Sequence, residues 1–128
     1  MRVAFTSTDG EQVDRHFGES EQFWVWEVGP GSAAFVEKLS AITTAADEED
    51  RIAARANAVA GCTIVYTMQI GGPAAAKLIA QKIHPMKTNN EVSLKETLER
   101  FQEVLRGNPP PWLRKAMNKG QAQSFLED

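Results

Sequence analysis

A chain of 128 residues fits one domain, and 42% apolar with 24% charged residues is an ordinary globular balance that excludes wholesale disorder. A formal net charge of −3 argues against the basic face on which non-specific nucleic-acid binding depends, and no apolar run approaches the ~20 residues of a membrane span. The single cysteine, Cys62, excludes an intrachain disulfide and a four-thiolate metal site built by one chain.

The opening "MRVAFTSTDG" turns polar too early for a signal peptide, so a cytoplasmic location is expected. Within it, "RVAFTS" at 2–7 has the β-branched and aromatic content of a strand. A polar loop follows and contains "VDRHFGES" at 13–20. "FWVWEV" at 23–28 sets Phe23 and Val25 on one face and Trp24 and Trp26 on the other, which suits a sheet covered on both sides. "GPGS" at 29–32 is a turn cluster, and "AAFVEKL" at 33–39 completes an antiparallel hairpin. "DEEDRIAARANAVAG" at 47–61 has acids in its first turn, an apolar stripe of Ile52, Ala56 and Val59, and a terminal glycine. It predicts a helix. "CTIVYT" at 62–67 is a short continuous apolar run, as in a buried parallel strand. "GGPAAAKLIAQK" at 71–82 opens a helix with Pro73 at its first position. "IHPMKT" at 83–88 is a weak strand whose Pro85 belongs at a sheet edge. In "SLKETLERFQEVLRG" at 93–107, Ser93 and Glu96 form a capping box ahead of the apolar face Leu94, Leu98, Phe101 and Leu105. The final segment, 108–128, begins with three prolines. It carries Trp112, Leu113 and Met117 as a short apolar stripe, and is expected to be a docked or mobile tail.

The order β-β-β-α-β-α-β-α predicts an α/β fold with three layers, α/β/α, around a mixed five-stranded sheet. The two strand–helix–strand steps, at 33–67 and 62–88, require parallel pairing with right-handed crossovers. The expected division is a domain over 1–107 and a Pro-rich tail over 108–128.

Ligands of open α/β sheets gather at the carboxyl ends of parallel strands. The loop with His16 follows the first strand, Gly71 and Gly72 follow the fourth, and Lys87 ends the fifth, so all are expected at one rim. Cys62 and His84 begin their strands and are expected at the other. Read alone, a loop histidine is an ordinary solvated side chain. Its neighbours change the reading: Arg15 adds a cation, Gly18 frees the backbone, and Phe17 offers an anchor in the core. A neutral imidazole is a good donor to iron and other borderline metals. Asp14 either orients that ring or caps the turn. The Gly71-Gly72 turn ahead of a helix start is anion-receptive in principle, but read alone it is first a flexible strand-to-helix turn. Met68 reads as packing before it reads as a soft ligand, and Cys62 as a small buried hydrophobe. Acids 47–50 read as stabilisers of a helix N-terminus.

Taken together, "RVAFTSTDGEQVDRHFGESEQFWVWEV", "GCTIVYTMQIGGPAAAKLIAQKIHPMK" and "PPPWLRKAM" resemble the dinitrogenase iron–molybdenum cofactor biosynthesis family over residues 1 to about 117. The resemblance implies a ribonuclease H-like fold. It implies a carrier, not an enzyme, that holds an iron–sulfur cluster precursor (the NifB cofactor) or the iron–molybdenum cofactor. The implied partners are the cluster-making enzyme and the assembly scaffold, with no nucleic acid and no membrane. By position, the family's cofactor-binding loop histidine falls on His16, the expected metal donor. Arg15, Gly18, Gly71, Gly72 and Lys87 are expected to complete the cofactor-binding surface. Two rival readings are a metal-dependent nuclease or phosphotransferase on the same fold, and a cofactor-free interaction module. The first needs carboxylates at strand ends, which "RVAFTS" and "CTIVYT" lack.

Overall fold

A computed structural model describes residues 1–115. Its central sheet contains β1 (Arg2–Thr6), β3 (Gln22–Val28), β4 (Ala33–Ser40), β5 (Ile64–Thr67) and β6 (His84–Lys87) in the spatial order β4-β3-β1-β5-β6. β1 pairs antiparallel with β3, and β3 with β4, while β5 runs parallel to β1, and β6 to β5. This is the predicted mixed sheet, with Pro85 on an edge strand, but only the 62–88 step joins paired strands: β3 and β1 lie between β4 and β5, so the expected parallel pairing across 33–67 does not form. Two short strands, β2 (Gln12–Val13) and β7 (Val92–Ser93), form a separate antiparallel ribbon that the periodicity does not reveal.

The helices divide between the two faces. Ala56 and Val59, from and just after α1 (Glu48–Ala58), join Ala74 and Leu78 of α2 (Gly72–Ala80) over Ala4, Phe23, Val25 and Val65. Leu94, Leu98, Phe101 and Leu105 of α3 (Leu94–Arg106) cover Val3, Phe5, Val28 and Ile64 on the other face. The faces follow from the alternation of side chains along each strand. Trp24 and Trp26 accordingly lie on the α3 side, where both rings contact Phe35 of β4. Between Val25 and Trp26 the β3–β4 register slips: Val25 pairs with Glu37 and Trp26 with Phe35, which leaves Val36 as a bulge residue.

Local chemistry sets the element ends. The Asp47 side chain accepts from Glu49 N–H at 2.8 Å to start α1, and the Ser93 hydroxyl accepts from Glu96 N–H at 3.2 Å to start α3. Gly61 takes φ +90°, so the chain turns sharply after α1. Cys62 is therefore still in the turn, and β5 begins two residues later than the apolar run predicts. The segment after α3 packs on the domain: Leu113 is 2% exposed among the α3 residues, and Trp112 stacks on His84 at 3.8 Å between ring centroids. Met117, the remaining member of that stripe, lies outside the described residues. Among the described residues, no helix is long and apolar enough to cross a membrane.

Candidate functional site

The carboxyl ends of β1 and β5 are bound directly to each other's loops. Their register pairs Phe5 with Tyr66, which brings Thr6 beside Thr67 at the strand ends. Beyond them, Met68 N–H donates to the Arg15 carbonyl at 3.1 Å, and Phe17 N–H donates to the Gln69 carbonyl at 2.9 Å. The β6 end is joined to the same rim: Thr88 N–H donates to Thr67 O, Asn89 N–H to Met68 O, and the Gln69 amide to Asn89 Oδ1 at 2.8 Å. Three loops thus form one surface that contains Arg15, His16, Gly71, Gly72 and Lys87.

His16 precedes a one-turn 3₁₀ helix (Phe17–Glu19) in extended conformation, with its side chain exposed and capping nothing. Its neighbour Phe17 is fully buried, with its ring 5.6 Å from that of Phe23. Farther along, Ser20 O accepts from the Nε of Arg55, a guanidinium that is 8% exposed and reaches up from α1. Burial, followed by the nearby Arg51, lowers the Arg55 pKa while Glu21 opposes the shift. The exposed imidazole is therefore mounted on a loop tied down on both sides.

Arg15 is exposed, with its Nε donating to Thr8 Oγ1 at 3.0 Å. Asp14 accepts from Thr8 N–H at 2.9 Å and from Thr8 Oγ1 at 3.2 Å. Of its two sequence readings, turn cap and partner of the His16 ring, the contacts are those of a turn cap. Asp9 is similarly engaged: the backbone N–H groups of Glu11 and then Gln12 hold its carboxyl below the usual range. Asp9 and Asp14 thus serve loop structure. Among the described residues, no three His, Cys, Asp or Glu side chains gather as a metal cage.

Gly18, Gly71 and Gly72 are exposed, and a Cβ on any of them would meet nothing within 4 Å. Gly71 is the N-cap of α2, with φ −74°, and its carbonyl accepts from Ala75 N–H. Their value is therefore open approach, not a strained backbone. Lys87 ends β6 and is exposed. His16 lines neither the groove of about 600 Å³ between α1 and α2 nor the apolar one of about 260 Å³ beside Trp112. Arg15, His16, Gly71, Gly72 and Lys87 are all exposed.

Cys62 lies at the opposite end, where Thr63 N–H bonds the Arg2 carbonyl. β5 itself, at about 3.3 Å per residue, spans roughly 10 Å from Ile64 to Thr67, and Cys62 lies two residues before its start. Cys62 is 7% exposed, and burial pushes its thiol up to about 11, which keeps it protonated and a poor metal ligand at neutral pH. His84, at that same end, has its pKa lowered by burial.

Sequence reasoning missed the paired threonines, the Arg55 reach and the Gln69–Asn89 bridge. One signal was present for the first: both central parallel strands end in threonine.

The family described as "Dinitrogenase iron-molybdenum cofactor" matches residues 1–104. The chain is 39% identical over 123 residues to NifX of Herbaspirillum seropedicae, covering 94% of this chain and 84% of that protein. It is 37% identical over 117 residues to NifY of Azotobacter vinelandii, covering 91% of this chain and 48% of NifY. The crystal structure of PH0822 superposes with a TM-score of 0.61 at 22% identity, covering 88% of this chain and 99% of that one, a likeness of fold alone.

Proposed function

The chain belongs to the dinitrogenase iron–molybdenum cofactor family and serves nitrogenase cofactor biosynthesis, and from that premise we propose that it carries an anionic iron–sulfur cargo on the rim that presents His16. The cargo is the NifB cofactor precursor or the iron–molybdenum cofactor. The observation that carries this reading is one exposed imidazole on a backbone fixed at both neighbouring peptide groups, at the same rim as two exposed cations and an open glycine turn.

Each residue has a distinct part. His16 supplies one nitrogen donor to an iron of the cargo. Arg15 and Lys87 offset its negative charge. Gly18 lets the bulky cargo approach the loop. The backbone N–H groups at Gly71 and Gly72, at the positive end of α2, hydrogen-bond its sulfides. One coordination bond with several weak contacts holds a cargo that must later be released, whereas a cage of thiolates would retain it. The protein acts as a carrier in the cytoplasm, receiving cargo from the cluster-making enzyme and passing it to the assembly scaffold. The order β4-β3-β1-β5-β6 supports describing the sheet as a ribonuclease H-like motif.

The test is anaerobic titration of wild type, His16→Ala and Cys62→Ser with isolated iron–molybdenum cofactor, followed by visible absorbance. His16→Ala should weaken binding at least tenfold with less than about 0.5 kcal/mol change in stability, as for exposed sites in general. Cys62→Ser should bind as wild type. Loss of binding in Cys62→Ser with none in His16→Ala would move the site to the other end of the sheet.

A further inference from the structure

We infer that Thr6 and Thr67 are positioning residues for cargo binding: their paired hydroxyls latch the peptide group that immediately precedes His16. The inference rests on the reading of His16 given above and deepens it.

Both threonines are fully buried, where a hydroxyl needs a partner. Their oxygens are 3.0 Å apart. Thr6 Oγ1 lies 2.8 Å and Thr67 Oγ1 3.0 Å from the Arg15 carbonyl oxygen, and Thr67 Oγ1 is also 3.3 Å from the Gln69 carbonyl. These two carbonyls flank His16 in space. Arg15 O belongs to the peptide group that leads into it, and Gln69 O accepts from the N–H of Phe17, the residue after it. The latch therefore grips the loop on each side of the histidine and leaves the histidine free. Since the imidazole caps nothing, its placement comes from these backbone contacts.

Proton counting shows how the latch works. Two hydroxyls carry two protons, yet they face each other and two carbonyls. At any moment one proton serves Arg15 O, while the other goes to the neighbouring hydroxyl or to Gln69 O. Removing one hydroxyl leaves the second able to serve Arg15 O, so the pair is redundant. Shape alone does not call for threonine here: both residues are fully buried at strand ends, and valine has the same outline and suits a buried strand. What threonine adds is the hydroxyl. A site whose supporting contacts let its donor drift by about 1 Å loses affinity even with every contacting group present.

The experiment compares Thr6→Val, Thr67→Val, the double valine variant and the double serine variant with wild type and His16→Ala. Each is titrated anaerobically with isolated iron–molybdenum cofactor. Hydrogen exchange at the Phe17 and Met68 amides is read on the cargo-free proteins, with the urea midpoint as the control for folding. Each single valine variant should bind within about threefold of wild type. The double valine variant should bind at least about tenfold more weakly, with faster exchange at both amides, since neighbouring substitutions that share a partner are not additive. The double serine variant, which keeps the hydroxyls and loses the methyls, should return to within about threefold of wild type. A purely packing role predicts the reverse, with valine tolerated and serine harmful, and that result would overturn the inference. Should the double valine variant fail to fold, a double serine variant that folds but binds like His16→Ala would overturn it equally. Weak binding by His16→Ala beside wild-type binding by the double valine variant would remove the latch and spare the His16 reading. Wild-type binding by His16→Ala would remove both.

Discussion

Replacing Gly10 with alanine tests how the loop between β1 and β2 is held, because two independent penalties meet at that residue. Gly10 has φ +82°, a conformation that costs an L-residue about 1–2 kcal/mol. A Cβ there would also lie 2.7 Å from Cζ3 and 2.8 Å from Cη2 of Trp24. The indole cannot simply swing away: its Nε1 donates to Ser7 O at 3.1 Å, its ring contacts Phe35, and Lys38 Nζ lies 5.2 Å from its centroid. Overpacking of this kind costs about 1–3 kcal/mol. The expected loss is therefore about 2–5 kcal/mol, a large part of the roughly 5–15 kcal/mol that holds a domain together. Urea unfolding followed by tryptophan fluorescence should show a lower midpoint at unchanged slope, since the exposed surface is the same. Gly18→Ala is the matched control: it has no positive φ and open space around the new methyl, so it should shift stability by less than about 0.5 kcal/mol. Equal stability of the two variants would refute the argument, because it would mean that neither the left-handed backbone nor the Trp24 ring constrains this turn.

Three further outcomes follow from packing and charge. Leu113→Ala should cost about 2–5 kcal/mol in the same urea assay, since the side chain is 2% exposed within the α3 cluster; a loss under about 0.5 kcal/mol would mean that the segment after α3 merely rests on the domain. Ser93→Ala should cost about 1 kcal/mol by removing the acceptor for Glu96 N–H, and glycine at that site should cost less than alanine. Burial lifts the Cys62 thiol from its ordinary 9.0 to about 11, so between these values the unfolded chain gives up a proton that the folded one keeps. Stability should therefore fall as pH rises through that window, by roughly 2–3 kcal/mol, and Cys62→Ala should lack this part of the slope. Parallel pH curves for wild type and Cys62→Ala would show that the thiol titrates alike in both states.

What could be read in advance, and what could not, follows from the range of each interaction. The order of strands and helices was legible because hydrophobic period, glycine stops and the Ser93 cap act within a few residues. The placement of His16 opposite Cys62 was legible too, since a parallel crossover dictates which loops share a rim. The β2–β7 ribbon escaped because two-residue strands have no period, and its partners lie far apart in the chain. Leu113 read as one member of a short apolar stripe after three prolines, in a tail equally able to dock or to move, and only the fold shows that it joins Leu98 and Leu105. Arg55 would normally be assigned to the solvent side of α1, yet Ser20 O draws its guanidinium inward. The threonine pair was visible as two residues but not as one device, because their meeting depends on the Phe5–Tyr66 register.

The placement of Pro85 has a bearing on how the protein behaves at high concentration. His84 N–H bonds Thr63 O and Thr88 N–H bonds Thr67 O, so even-numbered amides along β6 face inward and the odd positions face the open edge. Pro85 occupies one of those outward positions and has no hydrogen to offer. A neighbouring chain trying to extend the sheet there would find a gap where the ladder needs a donor. At the far edge, the Val36 bulge interrupts the regular spacing of β4, and Glu37 and Lys38 follow it with charge. Among the described residues, neither border offers a flat, complete template for fibril growth.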